Sequence, residues 1–217
     1  MNLKHYILSL LFLLTASTCI AQNFNTFYDI DSTGDWGYDI FQDSVKFTVI
    51  GTAASQGERL FTIKVSSAGD HIQLTGTAIF KNAWCNTGLA GRIKVLPSGN
   101  FLTPFSVHWA SPNLESVSAG YAILDKNGSM LSYHIYNLDT ANYQQEVFDA
   151  IQLPDKGFLL AGHSTRKANN FRIGQLIRTD SAGNQLWIKT YSYLGYQETI
   201  TSVDLIDNST ILIGSTV

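Results

Sequence analysis

Apolar residues in this chain come in short runs broken by clusters of Gly, Asn, Asp and Ser. Phe61-Thr-Ile-Lys-Val alternates apolar and polar positions, the period of a strand with one buried face. Phe158-Leu-Leu-Ala is continuous, as expected of a strand covered on both faces. Helical spacing is almost absent. Phe, Tyr, Val, Ile and Thr fill the runs, and these side chains suit a pleated surface. The expected fold class is all-β.

The runs repeat. Phe148 to Gly162 and Ile200 to Gly214 each read as a strand, a polar turn and an apolar strand ending in Gly. The two segments are expected to match in register at an offset of 52, with Phe47-Thr-Val-Ile-Gly51 echoing the last part. Between them lies a second landmark in three copies: Phe61 to Gly69, Tyr121 to Gly128 and Gln175 to Gly183. Each is an apolar strand entering an Asp/Asn/Ser-x-Gly turn, where Gly supplies positive φ. The turn glycines are 59 and then 55 residues apart. A unit of about four strands and 50 to 60 residues has the size of a β-propeller blade. Blade one is expected over about 37–79, blade two over about 88–137, blade three over about 146–191, and part of a fourth from about Thr199 to Val217.

The pattern of a strand ending Ala161-Gly162, then Leu176-Ile-Arg-Thr-Asp-Ser-Ala-Gly-Asn-Gln-Leu-Trp187-Ile-Lys-Thr-Tyr191, resembles the repeats of secreted bacterial β-propellers. Such proteins often carry a C-terminal sorting domain for type IX secretion. The resemblance covers nearly all of residues 22–217 and is clearest from Glu146 onward. It implies architecture, not activity, and the sorting domain itself is not in this sequence. Phe24-Asn-Thr-Phe-Tyr28 is similar to the end of the Trp187–Tyr191 strand, so it is a candidate closing strand. With only two strands in the fourth unit, the expectation is a piece of a larger propeller. A short four-bladed ring and closure by domain swapping are the alternatives.

The first 21 residues read as a cleavable signal peptide. Lys4 is the positive flank, Tyr6 to Leu14 the apolar run, and Cys19-Ile20-Ala21 ends it with small residues three before and one before the cut. The run is shorter than the roughly 20 residues a membrane span needs. Cys19 is a poor lipidation site, because Thr18 stands where Gly or Ala is usual and the upstream Leu is missing. The domain expected after cleavage is residues 22–217, secreted or at the cell surface, with no transmembrane segment. Cys85 is then the only cysteine, so an intramolecular disulfide is ruled out.

Net charge is −3, and 14% of residues are charged. This argues against nucleic acid, which needs a basic field. Asp29-Ile-Asp31-Ser-Thr-Gly-Asp35 has oxygen donors at alternate positions and Gly at the sixth, like the opening of a calcium loop. The twelfth position is Ile40, where a bidentate Glu is required, so a polar loop is the competing reading. His71, His108, His134 and His163 are scattered, without the close spacing usual in zinc sites. Catalytic signatures are missing, and no catalytic residue is assigned. Acidic residues such as Glu115, Glu146, Asp149 and Glu198 are expected mostly as solvated charges, with pairing across a central channel as the glycosidase alternative. Of the tryptophans, Trp187 is expected to pack between blades. Trp109, in a Pro/Ser/Asn-rich stretch, is the candidate for ligand contact. The leading expectation is a non-enzymatic binding or structural module for a protein or glycan. A propeller-type glycoside hydrolase or lyase is the alternative.

Overall fold

The computed structural model describes residues 35–43, 46–53, 59–78, 83–86, 93–109, 116–136, 139, 141–207 and 210–216. The expected signal peptide, Phe24–Tyr28, Asp29, Asp31 and Glu115 lie outside these residues. The described residues are all-β, with fifteen strands and no helix. None of them forms a helix long and apolar enough to cross a membrane.

The strands form four antiparallel sheets that follow one another along the chain. Sheet one is β1 (Asp35–Asp43), β2 (Lys46–Ala53), β3 (Arg59–Ser66) and β4 (His71–Ala78), in that order. Sheet two comprises β5 (Ala83–Asn86), β6 (Lys94–Val95), β7 (Phe101–Trp109), β8 (Ser116–Leu124) and β9 (Met130–Tyr136). Sheet three is β10 (Tyr143–Gln152), β11 (Phe158–Arg166), β12 (Phe171–Thr179) and β13 (Gln185–Tyr191). A hairpin of β14 (Thr199–Leu205) and β15 (Ile211–Thr216) completes the set.

Two expectations need correction. The second unit starts earlier than Gly88, because β5 pairs with the end of β7. It also has five strands rather than four, since β5 and β6 share one edge of β7. The break between them has a chemical cause. Pro104 stands mid-strand in β7, between the residues paired with β6 and those paired with β5. Proline has no N–H to give a neighbouring strand, so the edge strand parts there.

The repeat register also shifts. Gln152 pairs with Phe158, and Leu205 with Ile211, so the true offset is 53 and not 52. Gly214 therefore takes the place of Ala161, and Ser215 that of Gly162. All three first hairpins carry a bulge at the same place: Gly37/Asp39, Val147/Asp149 and Ile200/Ser202. A methyl on Gly162 would overlap the Glu146 carbonyl, and one on Gly51 the Trp36 carbonyl. The bulge draws the first strand against the second there, leaving no room for a side chain at Gly51 or Gly162.

The three predicted turns share one geometry. Gly69, Gly128 and Gly183 have φ of 87°, 86° and 83°. In each, a Ser or Asp oxygen caps the backbone: Asp180 Oδ1 accepts from Ala182 and Asn184, Asp125 Oδ1 from Asn127 and Ser129, and Ser66 Oγ from Ala68 and Asp70. Short polar side chains that bond to their own turn explain this sequence signature.

Successive sheets pack face to face. Ile50 and Leu60 of sheet one meet Phe101, Phe105 and Val107 of sheet two. Leu102, Tyr121 and Tyr136 of sheet two meet Val147, Phe158 and Leu160 of sheet three. Ile151, Leu159 and Leu176 then meet Ile200 and Val203 of the hairpin. β7, β8 and β11 are buried along almost their whole length, whereas β13 is mostly exposed. Each large apolar side chain so covered contributes about 1.5–3 kcal/mol. Burial on both faces is why Phe158-Leu-Leu-Ala carries no alternation.

Asp39 and Asp149, each in the first strand of its sheet, tie that strand to the next sheet. Asp149 Oδ2 accepts from the Val203 N–H (2.9 Å) and Oδ1 from its own neighbour Ala150. Asp39 repeats both bonds, to Ile93 and Ile40. Lys94 of sheet two also lies 3.7 Å from the Asp149 carboxylate.

Candidate functional site

The last turn of sheet three and the start of the hairpin build one candidate site. β13 ends at Tyr191, and a loop returns the chain to β14 at Thr199. The hairpin seats closely because Gly174 of β12 has no side chain. A Cβ there would sit 3.0 Å from Ile200. The loop is pinned to β12, where the Glu198 N–H donates to the Arg172 carbonyl (3.3 Å) and the Gln197 side chain accepts from the Arg172 N–H (3.4 Å).

This arrangement leaves a groove of about 380 Å³, lined by Tyr191, Tyr193, Glu198, Ile200, Ile213 and Ser215. Both tyrosines are exposed and Glu198 is buried. The loop tip is a tight turn, Tyr193-Leu-Gly-Tyr196, closed by the Tyr196 N–H donating to the Tyr193 carbonyl (3.0 Å). Leu194 and Gly195 both have positive φ, 52° and 77°. An exposed Leu in the left-handed region is costly for an L-residue.

Behind the groove is a polar cluster. Glu146 of β10 stands opposite His163 of β11, and His163 stands opposite Gly174 of β12. The His163 ring is buried, with its centroid 5.3 Å from that of Phe148, and Nδ1 lies 3.5 Å from the Thr199 hydroxyl. Burial, helped by the positive Arg172, lowers the His163 pKa to about 4, so the ring is neutral at pH 7. Burial raises the Glu146 carboxyl, and Arg172 opposes that rise. A neutral imidazole beside a carboxyl that holds its proton more tightly than usual can exchange protons or bind hydroxyls.

The acidic residues thus depart from expectation. Asp149 and Glu198 are buried and Glu146 is half-buried, not solvated edge charges. Asp149 is a structural clasp. Spacing gave no sign of His163 and Glu146 together. Only their cross-strand register could reveal the pair, and that depends on the bulge at Val147/Asp149.

The other sequence candidates fall elsewhere. Asp35 is the first residue of β1 and pairs with Ala53; the rest of the calcium pattern lies outside the described residues. Among the described residues no group of three or more His, Cys, Asp or Glu could hold a metal ion. Trp109 is half-buried at the end of β7, paired with Ala83 and Ser116, and packs against the cluster shared by sheets one and two. It does not line the tyrosine groove, whose residues come from sheet three, the loop after it and the hairpin. Trp187 packs between sheet three and the hairpin, under Lys189. His71 is exposed, and His134 stacks on Tyr121 at 5.2 Å.

No family model and no curated protein matches the sequence. Among solved structures, a protein of unknown function from Bacteroides caccae aligns over 86% of this chain and 55% of its own, at 13% identity and a TM-score of 0.49. An endo-arabinase from Bacteroides thetaiotaomicron aligns over 87% of this chain and 74% of its own, at 13% identity and a TM-score of 0.54. This chain therefore shares the overall fold of that endo-arabinase, a likeness of architecture alone.

Proposed function

We propose that the chain is an exported binding module of β-propeller form that takes a glycan in the Tyr191/Tyr193 groove. The observation that carries this reading is the pairing of two exposed tyrosine rings with a buried carboxylate in one groove. Flat aromatic faces stack on the apolar faces of sugars, and a carboxylate accepts from sugar hydroxyls. The propeller arrangement is supported by the fold likeness and by the recurring Asp clasp from a first strand to the next sheet. Export is supported by the N-terminal leader pattern, and the repeats support kinship with secreted bacterial propellers. The first residue of the exported product should be Gln22. A lipid-modified product beginning at Cys19 would overturn that part.

A second reading, a glycoside hydrolase, is favoured by the endo-arabinase likeness and by Glu146, whose raised carboxyl suits a general acid. One experiment separates the two. A polysaccharide panel that includes an arabinose polymer is assayed for retention and for release of reducing ends. Retention without cleavage, weakened about tenfold by Tyr193→Ala, supports the binding module. Cleavage abolished by Glu146→Gln would replace it with the hydrolase. A protein that neither retains nor cleaves any polymer refutes both.

A further inference from the structure

A second pocket, separate from the tyrosine groove, lies between sheets one and two and has about 310 Å³ of space. It is lined by the end of β1 at Asp43, the start of β2 at Lys46, the β6–β7 turn at Gly99 and the β8–β9 turn at Lys126. Lys46 and Lys64 are diagonal neighbours on adjacent strands β2 and β3, where Lys46 pairs with Ser66 and Lys64 with Thr48. Lys126 comes from the β8–β9 turn across the pocket. The Lys64 ammonium is held there by donating to Asn127 Oδ1 (3.0 Å). Among the described residues none of the three lysines is ion-paired. Asp43 is the single carboxylate in the lining, so the pocket carries a net charge of about +2 on a chain of −3. Its apolar wall is Phe41 against Phe101, ring centroids 5.0 Å apart.

Three like charges round one cavity repel, and an anion relieves that repulsion. Lysines act as point charges without a fixed fork, so they suit a compact oxyanion rather than one planar group. A phenyl wall adds a preference for an apolar face next to the charge. A cavity of this size sits at the small end of ligand sites, the scale of one sugar unit. From these features we propose that the pocket binds an anionic saccharide unit, its carboxylate or sulfate among Lys46, Lys64 and Lys126 and its ring on Phe41.

The test is thermal unfolding of the exported chain titrated with galacturonate, galactose and sulfate at constant ionic strength. Galacturonate and sulfate should each give a saturable rise of roughly 3 °C at ten times the dissociation constant, and galactose none. The variant Lys46→Gln/Lys64→Gln/Lys126→Gln should lose both responses while keeping its native circular dichroism. Phe41→Ala should weaken galacturonate at least threefold and leave sulfate unchanged. An equal response in the triple variant, an equal response to galactose, or no response at all overturns the proposal. These readouts do not depend on Tyr193→Ala, so the two sites fail separately.

Discussion

Acidification should destabilise the protein through His163. The ring is buried and neutral, and its pKa falls from about 6.5 in the unfolded chain to about 4. Between those values the unfolded chain carries a proton that the folded protein does not, so stability falls as pH drops through the window. At pH 5 the unfolded His is held about 1.5 units below its pKa, and at about 1.36 kcal/mol per unit the loss relative to pH 7 is about 2 kcal/mol. Glu146 acts oppositely: its raised carboxyl favours the folded state as pH falls toward 4.5. Urea unfolding of wild type, His163→Gln and Glu146→Gln at pH 7 and pH 5 isolates each contribution. The pH 7 to pH 5 loss should shrink by about 2 kcal/mol in His163→Gln and grow in Glu146→Gln. An unchanged loss in His163→Gln would refute the account of a buried neutral ring.

Asp149→Ala strands the Val203 and Ala150 N–H groups and leaves Lys94 without its partner, so it should cost about 2–4 kcal/mol in urea unfolding. Thr62 is buried with no hydrogen-bond partner for its hydroxyl among the described residues; Thr62→Val should raise stability by about 1 kcal/mol, read as a higher melting temperature. Lys156 holds φ of 70° in the β10–β11 turn, where Gly99 holds 80° in the β6–β7 turn. Lys156→Gly should therefore be neutral to stabilising by up to about 1 kcal/mol, and Gly99→Ala should cost about 1 kcal/mol by the same unfolding assay.

Local chemistry was the legible part of this fold. The Asp/Asn/Ser-x-Gly turns, the recurring hairpins and the all-β class all follow from residues close in sequence. A turn glycine or a period-two run has its meaning within a few residues. The repeat register was less legible. An offset of 52 matches Gly162 to Gly214, but the hairpin pairing requires 53. Strand pairing counts hydrogen bonds back from the turn, not matching letters. The early start of sheet two was hidden as well, because β5 and β6 are separated in sequence and joined only by pairing with β7.

The sequence alone determined an all-β chain of repeating hairpins, together with a leader pattern at its N-terminus. Only the tertiary structure decided which acids are buried. Asp149, Glu146 and Glu198 look alike in sequence, yet one clasps two sheets, one faces a neutral histidine and one lines a groove. Their surroundings come from residues about 10 to 60 positions away, brought close by sheet packing. The same holds for the lysine pocket, whose three charges are ordinary turn and strand residues until two sheets meet. Burial and field are sums over neighbours in space, and a single sequence does not say who those neighbours are.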